Sequence, residues 1–179
     1  KCIEMGCEKN GRKCEKFQKF LESDEASPNC RHVIFTDPPF AARTELLTYN
    51  LKQISSLFNR INKHHKVLPI MWIFPYFNEH HVRKEMPEME MLDFQVTYRD
   101  HYAFNQEYRG RKEGSPVRIF TNIDQSLIKY PSFLNNLYRF CQQCRRHVAL
   151  KNNHCFVCKV CPSKNGSEYR HFDECIKCV

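Results

Sequence analysis

The chain has 179 residues, with 28 Lys and Arg against 20 Asp and Glu for a formal charge of +8, and 11 cysteines. A hydrophobic content of 41% with 14 Phe and 8 Tyr is enough for a core, which excludes a disordered tail, and the length suits one modest domain with an appendage. No apolar run approaches the ~20 residues of a spanning helix, and the longest, Val67 to Phe77, is broken by Pro69 and Pro75, so no membrane partner is expected.

Lys1 in place of Met, with no signal-peptide pattern after it, suggests an internal piece of a longer product. Four cysteines lie in residues 1–30, none in 31–140 and seven in 141–179, which divides the chain into three. Dense pairs two residues apart with interleaved His are metal-site spacing in a reducing compartment, whereas a disulfide scaffold spreads its cysteines through the fold. An intracellular chain is expected, with a Cys-containing segment at 1–30, a middle domain at 31–135 and a zinc-binding module at 136–179. Cys2, Cys7, Cys14 and Cys30 read equally as the tail of a zinc finger or as spare thiols.

The middle segment begins with a short apolar strand, Arg31 to Thr36, which the prolines of Asp37-Pro38-Pro39-Phe40 stop. Leu46, Leu47, Leu51, Ile54, Leu57, Phe58 and Ile61 then recur at helical spacing, predicting an amphipathic helix from Thr44 to about Asn62. Val67 to Phe74 is a continuous apolar run suited to a strand buried on both faces of a parallel sheet. A short helix at His80–Glu85, an alternating strand at Met91–Tyr98 and a strand at Pro116–Thr121 follow, the last two separated by the polar loop Arg99–Ser115. This order predicts an α/β fold: half of a doubly wound, Rossmann-like sheet with a closing antiparallel pair. No glycine-rich loop follows the first strand, since Gly6 and Gly11 precede it.

At the carboxyl end of a parallel strand an open sheet exposes its ligand crevice, and that is where Asp37 to Phe40 would sit. The Asp37 carboxylate and the Pro38 carbonyl are two acceptors suited to the two hydrogens of an exocyclic amine, and Phe40 offers a stacking face. The plain alternative is a turn with Phe40 packed in the core. In the loop, Arg109, Arg111 and Lys112 lie beside Tyr98, Tyr102, Phe104 and Tyr108, a composition for phosphate contacts and base stacking or for ordinary solvated surface. Arg145 and Arg146 form a second basic spot. His64-His65 and His80-His81 lack metal spacing and read as surface.

The C-terminal spacing is the strongest signal: Cys141-x2-Cys144, His154-Cys155-x2-Cys158-x2-Cys161, His171 and Cys175-x2-Cys178. Zinc takes four ligands in a tetrahedron, and adjacent His154 and Cys155 point differently enough to serve separate ions. An interleaved pair of structural zinc sites is expected: Cys141, Cys144, His154 and Cys161 in one, Cys155, Cys158, His171 and Cys178 in the other, with Cys175 as an alternative to Cys178. A ubiquitin-ligase cross-brace shares such spacing. The cysteine-rich domain of membrane acyltransferases does too, but Arg170-His171-Phe172-Asp173 lacks its nucleophilic cysteine.

Asp37-Pro38-Pro39-Phe40 resembles the motif of S-adenosylmethionine-dependent adenine-N6 methyltransferases. Leu68 to Phe77, Met91 to Val96 and Ser115 to Asn122 resemble the CCHC zinc-finger branch of that family, which acts on ribosomal RNA. The resemblance covers most of residues 31–178. It implies methylation of a large-subunit ribosomal RNA adenine, with Asp37, Pro38, Pro39 and Phe40 catalytic, Asp37 also facing S-adenosylmethionine, and zinc modules holding the RNA. It also implies residence in the nucleus and nucleolus, with the cytoplasm as a second compartment. The family's N-terminal zinc modules and first cofactor-binding strands have no counterpart here, Ala41-Ala42 replaces small glycines, and Phe172 stands where a further repeat has a cysteine. The alternative is a non-catalytic, zinc-dependent RNA- or ribosome-binding protein.

Overall fold

The computed structural model describes residues 15–22, 32–63, 66–98, 115–162, 169–173 and 177–178. Cys2, Cys7, Cys14, Cys30, His64, His65, Arg109, Arg111, Lys112 and Cys175 lie outside the described residues.

Strand β1 (Ile34–Thr36) ends where Asp37 meets the prolines, and helix α2 (Thr44–Ile61) follows. Its buried stripe is Thr44, Thr48, Leu51 and Phe58, with Leu47 and Ile54 packed beside it. Leu46, expected in that stripe, is 61% exposed, because at helical spacing it lies nearly opposite Thr44, Thr48, Leu51 and Phe58. A preceding helix, α1 (Glu15–Leu21), packs Phe17 and Leu21 against Phe58 and Leu68.

Strand β2 (Ile70–Pro75) is buried at every position except Met71. It leads through a 3-10 turn at Tyr76–Asn78 into α3 (Glu79–Glu85) and the short β3 (Glu90–Met91), and β4 (Val117–Thr121) completes a sheet in the order β1-β2-β4-β3. β1 and β2 are parallel, with Ile34 opposite Ile70, while β4 runs antiparallel to both β2 and β3. β2 is therefore central in a mixed sheet rather than in a parallel one. The Asn122 side chain extends the β4 edge, accepting from the Ile70 N–H at 2.8 Å and donating to the Leu68 carbonyl at 3.0 Å.

Ile70, Trp72 and Phe74 share one face of β2 by strand alternation and join Leu51 of α2 and Val82 of α3 in one core cluster. Both helices thus cover the same face, whereas a doubly wound sheet carries helices on both. The fold among the described residues is mixed α/β with a parallel-containing sheet. Phe120, fully buried against Trp72, closes this core. Phe120→Ala is expected to cost about 3–5 kcal/mol, read as a lowered urea midpoint, and an unchanged midpoint would remove it from the core.

The strand expected over Met91–Tyr98 is regular only at Glu90–Met91. Leu92 still donates to Ile119 and Val96 to Val117, so four steps along one strand are matched by two along the other. The surplus residues form a bulge, which turns the Asp93 side chain out of the sheet ladder and towards the C-terminal module.

The C-terminal module consists of the hairpin β5 (Tyr138–Cys141) and β6 (Arg146–Ala149), and the pair β7 (His171–Phe172) and β8 (Lys177–Cys178). The stretch leading to it packs closely: Gln125 is 1% exposed and bridges the Glu90 carboxylate to the His147 N–H. Among the described residues no helix is long and apolar enough to cross a membrane.

Candidate metal centres and the Asp-Pro-Pro-Phe turn

β5 delivers Cys141 at its last residue, and the tight turn to β6 presents Cys144 beside it. Arg145, directly after the second cysteine, has φ 51°, and Lys159, directly after Cys158, has φ 56°. The two Cys-x2-Cys segments therefore close the same kind of left-handed turn. In the second of them the Cys158 N–H points at the Cys155 sulfur, 3.3 Å away. Such N–H contacts stabilise thiolate, the form that binds metal.

His154 and Cys155 are adjacent, yet the structure sends them to different groups. His154 Nδ1 lies 3.7, 3.2 and 3.9 Å from the sulfurs of Cys141, Cys144 and Cys161. His171 Nδ1 lies 3.5, 3.3 and 3.8 Å from those of Cys155, Cys158 and Cys178. Within each group of four, all candidate ligand atoms lie within 4.8 Å of one another. Tetrahedral zinc with Zn–S of about 2.3 Å and Zn–N of about 2.0–2.1 Å requires ligand separations of about 3.5–3.8 Å, so each donor set fits one zinc ion. Both histidines would bind through Nδ1, leaving Nε2–H outward; at His171 it faces the Asp173 carboxylate 3.6 Å away.

The thiols are unequal. The Cys158 N–H brings Cys155 down to about 7, while desolvation followed by neighbouring thiols pushes Cys161 and Cys178 up to about 12. A bound cation would displace those protons, which makes metal affinity fall in acid.

At the end of β1, Ala42 N–H donates to the Pro39 carbonyl and closes the Asp-Pro-Pro-Phe turn at 3.0 Å. Asp37 is exposed, and its Oδ2 accepts a 2.9 Å hydrogen bond from the Tyr98 hydroxyl. Desolvation first, then this bond and the Asp37 charge, raise the Tyr98 pKa well above its usual value and keep the phenol a donor. Phe40 is half-buried and meets Phe74 and Tyr98 edge-on at centroid distances of 6.1 and 6.4 Å. The turn thus puts a carboxylate at a strand end beside an aromatic ring that is partly packed on the core, as the plain alternative for Phe40 has it. Tyr98 had signalled only its aromatic character; its hold on Asp37 was not legible from spacing.

The basic residues are placed as follows. Arg145 pairs with Asp124 at 2.9 Å on the surface, and Arg146 donates to the Cys161 carbonyl. Arg146 thereby ties β6 to the segment that carries Cys161, while Arg145 stays exposed. His80 and His81 sit on α3 with ring centroids 5.6 Å apart.

Against known proteins, the chain is 40% identical over 155 residues to the rRNA N(6)-adenosine-methyltransferase ZCCHC4 of Homo sapiens, covering 85% of this chain. It is 39% identical over 144 residues to that of Mus musculus and 38% over 139 residues to that of Xenopus tropicalis. The chain spans about 29% of the length of the human relative and 27% of the other two. No family model matches it. Over most of its own length, then, the chain is a relative of rRNA adenine-N6 methyltransferases.

Proposed function

We propose that this protein methylates an adenine N6 of large-subunit ribosomal RNA, using S-adenosylmethionine, on a partial Rossmann-like sheet braced by two structural zinc ions. The supporting observation is the Asp37-Pro38-Pro39-Phe40 turn at the carboxyl end of a parallel strand, in a chain 40% identical to an rRNA N(6)-adenosine-methyltransferase over 155 residues.

S-adenosylmethionine supplies an electrophilic methyl group on a sulfonium, and Asp37 is the residue assigned to its side of the crevice. The adenine amine is a weak nucleophile. Asp37 Oδ1 and the Pro38 carbonyl accept its two hydrogens and favour the pyramidal nitrogen that attack requires, while Tyr98 fixes the carboxylate through Oδ2. Pro39 stiffens the turn, and Phe40 supports a base that has left its helix or arrives single-stranded. Arg109, Arg111 and Lys112, outside the described residues, are read from their composition as phosphate contacts, with Arg145 and Arg146 on the module. A ribosomal RNA substrate goes with residence in the nucleus and nucleolus.

Transfer of labelled methyl from S-adenosylmethionine to large-subunit ribosomal RNA tests the reading. Asp37→Ala is expected to lower it at least about a hundredfold while zinc content stays at two ions. Equal incorporation by the variant, or label found at a position other than adenine N6, would defeat the proposal.

A further inference from the structure

Where the connecting stretch meets the β5–β6 hairpin, a groove of about 600 Å³ opens on the module, lined by no candidate metal ligand but reaching Gln142 in the turn between Cys141 and Cys144. That volume lies within the usual range of ligand sites. Its walls carry two cations, Lys129 and Arg139, the amides of Asn135 and Gln142, and the rings of Tyr138 and Phe140, with no carboxylate among the lining residues.

The groove is built on a fixed base. Tyr130 stacks on His147 at 4.2 Å and 13°, His147 Nε2–H donates to the Ile128 carbonyl at 2.9 Å, and Phe140 meets His147 edge-on at 5.0 Å. Arg139 is anchored through Nη2 to the Asn152 carbonyl at 2.6 Å, and a guanidinium carries further N–H donors for a second partner. Lys129 is exposed.

The groove is also tied to the Asp37 turn. The Tyr138 hydroxyl accepts from the Gln95 N–H at 3.1 Å, and the Tyr98 hydroxyl, three residues on, donates to Asp37. Three residues of extended chain span at most about 11 Å. With a tyrosine side chain added at each end, groove and turn are joined through one short run of chain, a separation that a strand of several nucleotides spans.

We propose that this groove holds a single-stranded RNA segment flanking the target adenine, with Lys129 and Arg139 on phosphates and Phe140 against a base. Unopposed cations with ring faces and amide edges suit a flexible polyanion that carries flat bases. An acidic peptide would use the charges and leave Phe140 idle. The inference rests on the function proposed above for the identity of the strand, but its test needs no methyl donor.

Zinc-loaded protein is titrated against fluorescein-labelled oligoadenylate RNA by anisotropy at several salt concentrations. Lys129→Glu is expected to weaken binding about tenfold and to lower the salt slope by about one. Phe140→Leu is expected to weaken it about tenfold with the slope unchanged. Zinc content and melting temperature establish that each variant folds; should Phe140→Leu not fold, Gln142→Glu, on an exposed side chain, is expected to weaken binding in its place. Parent-like affinity in the folded variants overturns the groove, as does displacement by polyglutamate with Phe140→Leu neutral. Groove binding without methyl transfer defeats the proposed function and leaves the groove standing; methyl transfer with neutral groove variants does the reverse.

Discussion

Chelating the metal is expected to unfold the C-terminal module while α2 and the four-stranded sheet keep their secondary structure. The buried cluster of the module is Cys141, Val148 and Cys161 with Cys144 packed against it, so Val148 is its only member that is not a candidate ligand. One buried valine, the half-buried rings of Tyr130, Tyr138, Phe140 and His147, and two-stranded hairpins do not balance the chain entropy of about forty residues. Structural zinc sites supply about 10–16 kcal/mol each in small zinc-binding peptides at neutral pH, which is the scale required here. The measurement is chelator titration followed by released zinc and by near-UV circular dichroism. Cys144→Ser is expected to lose the first ion and with it the order of β5 and β6, whereas Cys158→Ser is expected to lose only the second. A module that keeps its near-UV signal after both ions have left would mean that packing, not metal, holds it.

Asp93→Ala is expected to be as damaging as truncating Phe120 in the core, at about 3–5 kcal/mol. Asp93 is 2% exposed, and its Oδ2 accepts from the Ala149 N–H at 3.2 Å and from Asn152 Nδ2 at 3.3 Å, joining the sheet to the module. Arg118, 1% exposed, donates through Nη1 to the carbonyls of Ser115 and Val117 and feels the Asp93 charge. Truncation leaves the two donors unmet and a buried guanidinium without that countercharge. Desolvation raises the Asp93 pKa above the ordinary carboxylate value, against the lowering pull of Arg146, the Ala149 and Asn152 bonds and Arg118. The native state therefore keeps this proton to higher pH than the unfolded chain does. Stability falls as pH rises from the unfolded carboxylate pKa, near 4, to the raised native value, and this group adds no slope above it. Asp93→Asn removes that slope and recovers part of the Asp93→Ala loss by keeping an acceptor. Urea midpoints across that pH range give both readings, and an Asp93→Ala variant within about 0.5 kcal/mol of the parent would show that the seam carries no stability.

The ligand grouping in the C-terminal module was legible because much of it is local: Cys141-x2-Cys144 and Cys155-x2-Cys158 each close a single turn, and adjacent His154 and Cys155 must diverge. Helix α2 was equally legible from its apolar spacing, and Asp37 from the prolines that end β1. The interrupted strand was not. Alternation at Leu92, Phe94 and Val96 reads as regular strand, and only pairing with Ile119 and Val117 reveals the two surplus residues.

By itself, then, the sequence determined what short-range geometry dictates: the α/β alternation, the strand-end turn and the division of the ligands between two groups, with the choice between Cys175 and Cys178 left open. Tertiary structure alone decided which polar groups are buried and what they face. Asp93 meets Ala149 and Asn152 across 56 and 59 residues, and Tyr98 meets Asp37 across 61. Tertiary structure also made β2 the centre of a mixed sheet and placed both α2 and α3 on one face of it. A polar side chain carries no local mark of burial, because its cost in the interior depends on a partner that only the folded chain brings within hydrogen-bonding distance.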